Sequence, residues 1–179
     1  MNYKDKERIE NSVVQVECIN KHDTEDKEVG TGFFIDKNKV VTASHVINKY
    51  YTNPLDYHIN VIHIKAGIDK DIKVVKNIEL KQNNFVSILE LEEEVENINL
   101  LKFTSGYEVK IDDKYYTFGF PQQRRSGGIP IENKIETSIN EMQSRKIDWS
   151  LSLSGERLED FKGFSGAPII INNMLVGIV

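Results

Sequence analysis

The hexapeptide GFSGAP, residues 163 to 168, places Ser165 between Gly163 and Gly166, with a proline two residues further on. A glycine on each side lets the backbone take up positive φ angles and come close to another group, which suits a serine held on a tight turn for use. The same residues also read as a β-turn leading into the strand PIIIN, because Gly, Ser and Pro are ordinary turn formers. A second chemically capable residue, His45, lies in VVTASHV, just after a run with strand character and at the start of a short helical stretch. Its backbone is expected to be held there while its ring faces outward. Taken singly, such a histidine also reads as a structural residue at a strand end.

The other candidates carry less chemistry. His58 and His63 in YHINVIHI have an odd spacing, so on a strand they point to opposite faces and cannot jointly hold a metal. His22 sits in the polar loop KHDTEDKE. Cys18 is the only cysteine, which excludes an internal disulfide and any need for an oxidising compartment; it reads as a small apolar core side chain. Arg124 and Arg125 precede a glycine pair in RRSGGIP, but no phosphate-cradling motif follows. Trp149 reads as core. No cofactor or metal signature is present.

The elements that must position Ser165 and His45 are strands. The chain has 179 residues, 39% of them apolar and 28% charged, enough for one domain or two small subdomains with a real core. Short runs rich in β-branched and aromatic residues cover 13–19, 32–36, 39–43, 57–64, 72–80, 85–91, 114–120, 133–139, 147–153, 168–172 and 174–179. Such spacing reads as an all-β barrel or sandwich. Helix is expected only at 43–51, with a turn in 154–161 and a frayed N-terminus. The acidic stretch LEEEVENIN, 91–99, divides the strands into two groups and is the natural linker. A net charge of −5 without a basic stripe argues against nucleic acid as the main partner and for proteins or small molecules. The charged start MNYKDKERIENS lacks the apolar stretch of a signal peptide, and no apolar run is long enough for a membrane span, so the expected location is the cytoplasm.

In combination the motifs say more than they do singly. Gly30 to Phe33 (G-x-G-F), Val40 to His45 (V-V-T-A-S-H) and Gly163 to Pro168 (G-x-S-G-x-P), in that order, resemble the chymotrypsin-like serine proteases in their bacterial, intracellular, disulfide-free branch. The resemblance runs from about Val13 to Val179. It implies two antiparallel six-stranded Greek-key barrels with the active site in the cleft between them: residues 1–12 as an N-terminal extension, 13–95 as the first barrel, and 96–179 as the second, incomplete at its C-terminal end. It further implies that Ser165 Oγ attacks a peptide carbonyl while His45 takes and returns the proton. The N–H groups of Gly163 and Ser165 would form the oxyanion hole. The segment YTFGFPQ resembles a supporting element of the second barrel. The implied partner is a protein or peptide substrate.

This sequence also departs from the family pattern. The third catalytic residue is an aspartate opening a strand of the form D-h-A-h-L, with h apolar; aligning Ser87 with the alanine puts Phe85 on the aspartate. Asn84 could serve in a Ser-His-Asn arrangement, accepting a hydrogen bond without supplying charge. Asp69 or Asp71 could supply a carboxylate from elsewhere; otherwise the enzyme is slow, a dyad, or a silent protein-binding module. The acid whose ion pair with a freed N-terminus activates secreted members is replaced by Phe164, so activation by trimming is not expected and removal of residues 1–12 should leave activity unchanged. Control would then fall to a regulatory domain or partner protein. The strand that lines the family's specificity pocket would begin straight after Gly177 to Val179, so the chain reads as the protease module of a longer protein, resembling effector modules in bacterial antiphage defence. Glu159, with Asp160 beside it, takes the pocket-floor position and would favour Lys or Arg on the acyl side of the cleaved bond. The competing reading of SGERLED is a solvated acidic turn.

Overall fold

The computed structural model describes residues 1–65, 68–80, 85–103, 106–121, 127–138, 149–151 and 161–179. Six strands come first: β1 (Val13–Asn20), β2 (Lys27–Asp36), β3 (Lys39–Ala43), β4 (Tyr57–Lys65), β5 (Ile68–Leu80) and β6 (Val86–Leu91). They are joined in the order β1-β2-β3-β6-β5-β4, and the sheet closes because β1 pairs antiparallel with both β2 and β4. After Leu91 the described chain runs without a regular element until β7 (Lys114–Gly119), so the acidic segment does connect two groups of strands. The second group holds β7, β8 (Ile129–Ser138), β9 (Trp149–Leu151), β10 (Pro168–Ile171) and β11 (Met174–Ile178), in the order β11-β10-β7-β8-β9.

The architecture is therefore mostly β, with antiparallel strand pairing in two sheets. Its first part is a closed six-stranded barrel, whereas the second is, among the described residues, a five-stranded sheet and not a six-stranded barrel. Residues 139–148 and 152–160 lie outside the described residues.

Alternation along the strands builds three packed clusters from few residues. Val14 and Val16 of β1, Phe34 of β2 and Val40 of β3 point into the barrel, where they meet Ile59, Val61 and Leu89. Their immediate neighbours Val13, Phe33 and Val41 point outward and pack against Tyr116, Phe118, Phe120, Ile170 and Leu175 of the second sheet. On β7 and β10 the same division recurs, with Tyr115 and Ile171 facing a third cluster that includes Ile131, Ile135 and Phe164. Period-two side chains thus give each of these strands a core on both faces.

A helix that the sequence reading reduced to a frayed end is well formed. In α1 (Tyr3–Glu10) the Asn2 side chain accepts from the Asp5 N–H, an N-cap of the usual chemistry. Ile9 is buried in the cluster between barrel and second sheet. Glu10 accepts from the Tyr116 hydroxyl at 2.5 Å and Lys6 meets Glu132 at 2.7 Å. The segment before β1 is therefore packed structure and not a frayed end.

Candidate active site

His45 is set by what is buried around it. After β3 ends at Ala43, residues Ser44–Ile47 make a 3-10 turn that runs into α2 (Asn48–Thr52). Ser44 is tied down twice, its N–H to the Phe85 carbonyl at 2.7 Å and its hydroxyl to that of Ser87 at 2.7 Å. Val46 and Ile47 fill the barrel cluster, so the turn has only His45 left to expose. Gly30 makes room for this turn, since a Cβ there would overlap a Val46 methyl group.

Ser165 stands on a loop held by its neighbours. The Phe164 N–H donates to the Phe161 carbonyl at 3.0 Å and the Ala167 N–H to the Phe164 carbonyl at 2.8 Å, bending the chain tightly around the serine. Gly163 and Gly166 take φ values of +101° and +90°, the left-handed region in which a side chain is strained. Space requires glycine as well: a Cβ on Gly163 would strike the Phe120 carbonyl, and one on Gly166 would lie 2.7 Å from Thr42 Oγ1 and 2.8 Å from the Ala43 nitrogen. Phe164, where an activating acid would stand, is buried in the third cluster and anchors the loop by packing. The Ser165 carbonyl accepts from the Thr31 N–H on β2 at 2.9 Å. The serine loop thus lies against β2 and, through Gly166, against the end of β3 that leads into His45.

Residues 30–178 match the trypsin-like peptidase domain. The chain belongs to that family. It is a trypsin-like serine protease, a hydrolase whose substrates are proteins or peptides. Its fold is similar to the crystal structure of Deg5, with a TM-score of 0.72 at 18% identity over 99% of this chain and 86% of that one. It is also similar to the structure of GrC, with a TM-score of 0.74 at 17% identity over 95% and 82% of the two chains. The Rv3671c protease from M. tuberculosis in its active form matches with a TM-score of 0.67 at 19% identity over 98% and 72%.

Not every residue expected at the site of a trypsin-like peptidase is brought there. Pairing of Ala43 with Val86 and Thr42 with Ser87 puts Phe85, the residue that the resemblance aligns with the family's aspartate, beside Ser44. Asn84, Glu159 and Asp160 lie outside the described residues. Asp69 and Asp71 pair with Ile64 and Ile62 near the start of β5, whereas it is Leu80, at the other end, that pairs with Ser87. Nine residues separate Asp71 from Leu80, about 30 Å of strand, so the register sets both aspartates toward the far end of the barrel from His45.

His63 is buried, donating from Nε2 to the Asn11 carbonyl at 3.0 Å with its ring edge-on to Phe34. Among the described residues no cluster of His, Cys, Asp and Glu could hold a metal, and no helix is long and apolar enough to cross a membrane. Cys18 is fully buried, and that burial pushes its thiol up to about 11, the behaviour of an inert core residue. The Ser44–Ser87 contact and the Thr31 N–H bond to the Ser165 carbonyl have no signal in the sequence, because a lone hydroxyl or backbone donor carries no motif.

Proposed function

We propose that this protease is an endopeptidase working through an acyl-enzyme, with Ser165 as nucleophile and His45 as general base and acid. Ser165 Oγ bonds to the peptide carbonyl carbon as its proton passes to His45 Nε2, and the carbonyl oxygen becomes an oxyanion facing the N–H groups of Gly163 and Ser165. Collapse breaks the C–N bond, and the proton on Nε2 goes to the leaving amine. Water then attacks the acyl-enzyme, His45 takes its proton, and the acid product leaves with Ser165 restored.

The observation that carries this reading is the packing of Gly166, next to Ser165, against Thr42 and Ala43, which lead into His45. The positive φ values on either side of the serine support it further. Control by a regulatory domain or partner protein is part of the proposal, because Phe164 offers no charge for an activating ion pair. A cytoplasmic effector of bacterial antiphage defence is the setting to which the family resemblance points.

Phe85 favours a second reading, a catalytically silent binding module on the same fold. Fluorophosphonate labelling followed by intact mass separates the two. The expected result is one adduct on the parent chain and none on Ser165→Ala or His45→Ala. A folded parent that takes no label would select the binding module.

A further inference from the structure

We infer that the Thr31 hydroxyl, on the first barrel, is a positioning group for the oxyanion side of the nucleophile loop; the inference rests on the Ser165–His45 reading above. Thr31 is wholly buried, and its Oγ1 is used in both directions. It donates to the Gly163 carbonyl at 2.6 Å and accepts from the Phe120 N–H at 3.0 Å. A hydroxyl has one proton to give, and here it is given to the glycine whose own N–H faces the developing oxyanion. The rest of the residue holds the same place. Its N–H donates to the Ser165 carbonyl, and its carbonyl accepts from Thr42 Oγ1 at 2.7 Å, on the strand leading to His45.

Gly163 is the residue most in need of such restraint. Without a side chain its dihedrals are free to turn the N–H away from the cleft. Two contacts restrain the residue: the hydrogen bond to its carbonyl fixes the 163–164 peptide, and its seat on the Phe120–Pro121 backbone, so close that a Cβ would collide, leaves the N–H side little room to turn. The Phe120 backbone is held by the same Thr31 hydroxyl. One side chain on β2 therefore fixes both the oxyanion glycine and the surface it rests on. Oxyanion donors act by being in place before charge develops, and tolerance there is a fraction of an ångström.

The test compares Thr31→Val, which keeps the shape and loses the hydroxyl, with Thr31→Ser, which keeps the hydroxyl. Two readouts are taken on each: the fluorophosphonate labelling rate per folded molecule, and amide hydrogen exchange of the peptide spanning 163–167. In Thr31→Val labelling should slow by about 10–100-fold, the scale of a misplaced catalytic group, and loop exchange should rise while β1 peptides stay unchanged. Thr31→Ser should restore both. Wild-type labelling and wild-type loop exchange in Thr31→Val would overturn the inference. If the parent takes no label at all, the Ser165–His45 reading fails, and the exchange comparison alone decides whether Thr31 sets the loop. Should Thr31→Val not fold, the smaller Thr31→Ala carries the same comparison.

Discussion

Phe85 stands where the family resemblance aligns the carboxylate that would steady His45, with its carbonyl on the Ser44 N–H and the residue 46% exposed. An aromatic ring supplies neither a hydrogen bond to Nδ1 nor charge to an imidazolium. In proteases of this mechanism, exchanging the aspartate even for asparagine lowers kcat by about 10⁴. Phe85→Asp should therefore raise the labelling rate by about tenfold or more near neutral pH, with little effect on stability, since a half-exposed ring contributes little core. An unchanged rate in the folded variant would mean that residue 85 does not serve the histidine. The tight turn at Ser165 with its positive-φ glycines and the outward-facing His45 were legible in the sequence, because each has recognisable neighbours. Thr31 was not, since the partner of its hydroxyl, Gly163, is 132 residues away in sequence.

Among the elements, the strands were legible and their register was not. Each run of branched and aromatic residues became a strand, but β5 begins at Ile68 and β8 at Ile129, earlier than composition indicates, because pairing with β4 and β7 carries polar residues and Pro130 into the ladder. The short helix α2, continuing from the His45 turn, has only five residues and is too short to persist on propensity. It is fastened by Lys49, which meets Asp26 at 2.7 Å and Glu28 at 3.3 Å. Asp26 also accepts from the hydroxyl of Tyr57 and from Asn20. The Lys49 contact, then those of Tyr57 and Asn20, lowers the Asp26 carboxyl from 3.8 to about 2. A carboxyl held below its unfolded value contributes fully above that value and loses its contribution as pH falls through the folded one. The stretch joining β1, α2 and β4 should thus loosen between pH 4 and 2, seen as faster amide exchange at Asn48–Thr52. Asp26→Asn should show the loosened exchange already at pH 5 and little further change below it; an acid profile identical to the parent's would refute the assignment.

In the whole molecule, the two halves of the site are joined by a core that neither half owns. Val13, Phe33 and Val41 from the barrel meet Tyr116, Phe120 and Ile170 from the second sheet, and Ile9 of α1 closes the same cluster. This shared core was hidden in the sequence because runs such as VVQV are buried on both faces, and the alternation that would reveal an outward face is masked. Its position matters to the proposed chemistry, since His45 follows β3 of the barrel and Ser165 precedes β10 of the second sheet. Removing residues 1–12 takes away the Ile9 side chain, worth about 1.5–3 kcal/mol of burial. It also takes away the Glu10–Tyr116 hydrogen bond and the Ser12 carbonyl that accepts from Phe34. For a chain of this size each kcal/mol corresponds to roughly 2–4 °C, so Tm should fall by about 5–10 °C or more. Labelling of Ser165 should fade with temperature in step with that lower transition, because the loop and the His45 turn keep their register only while the shared core is closed. Ile9→Ala should reproduce much of the shift with the helix still present. A trimmed chain that melts and labels like the parent would show that α1 rests on this core without holding it.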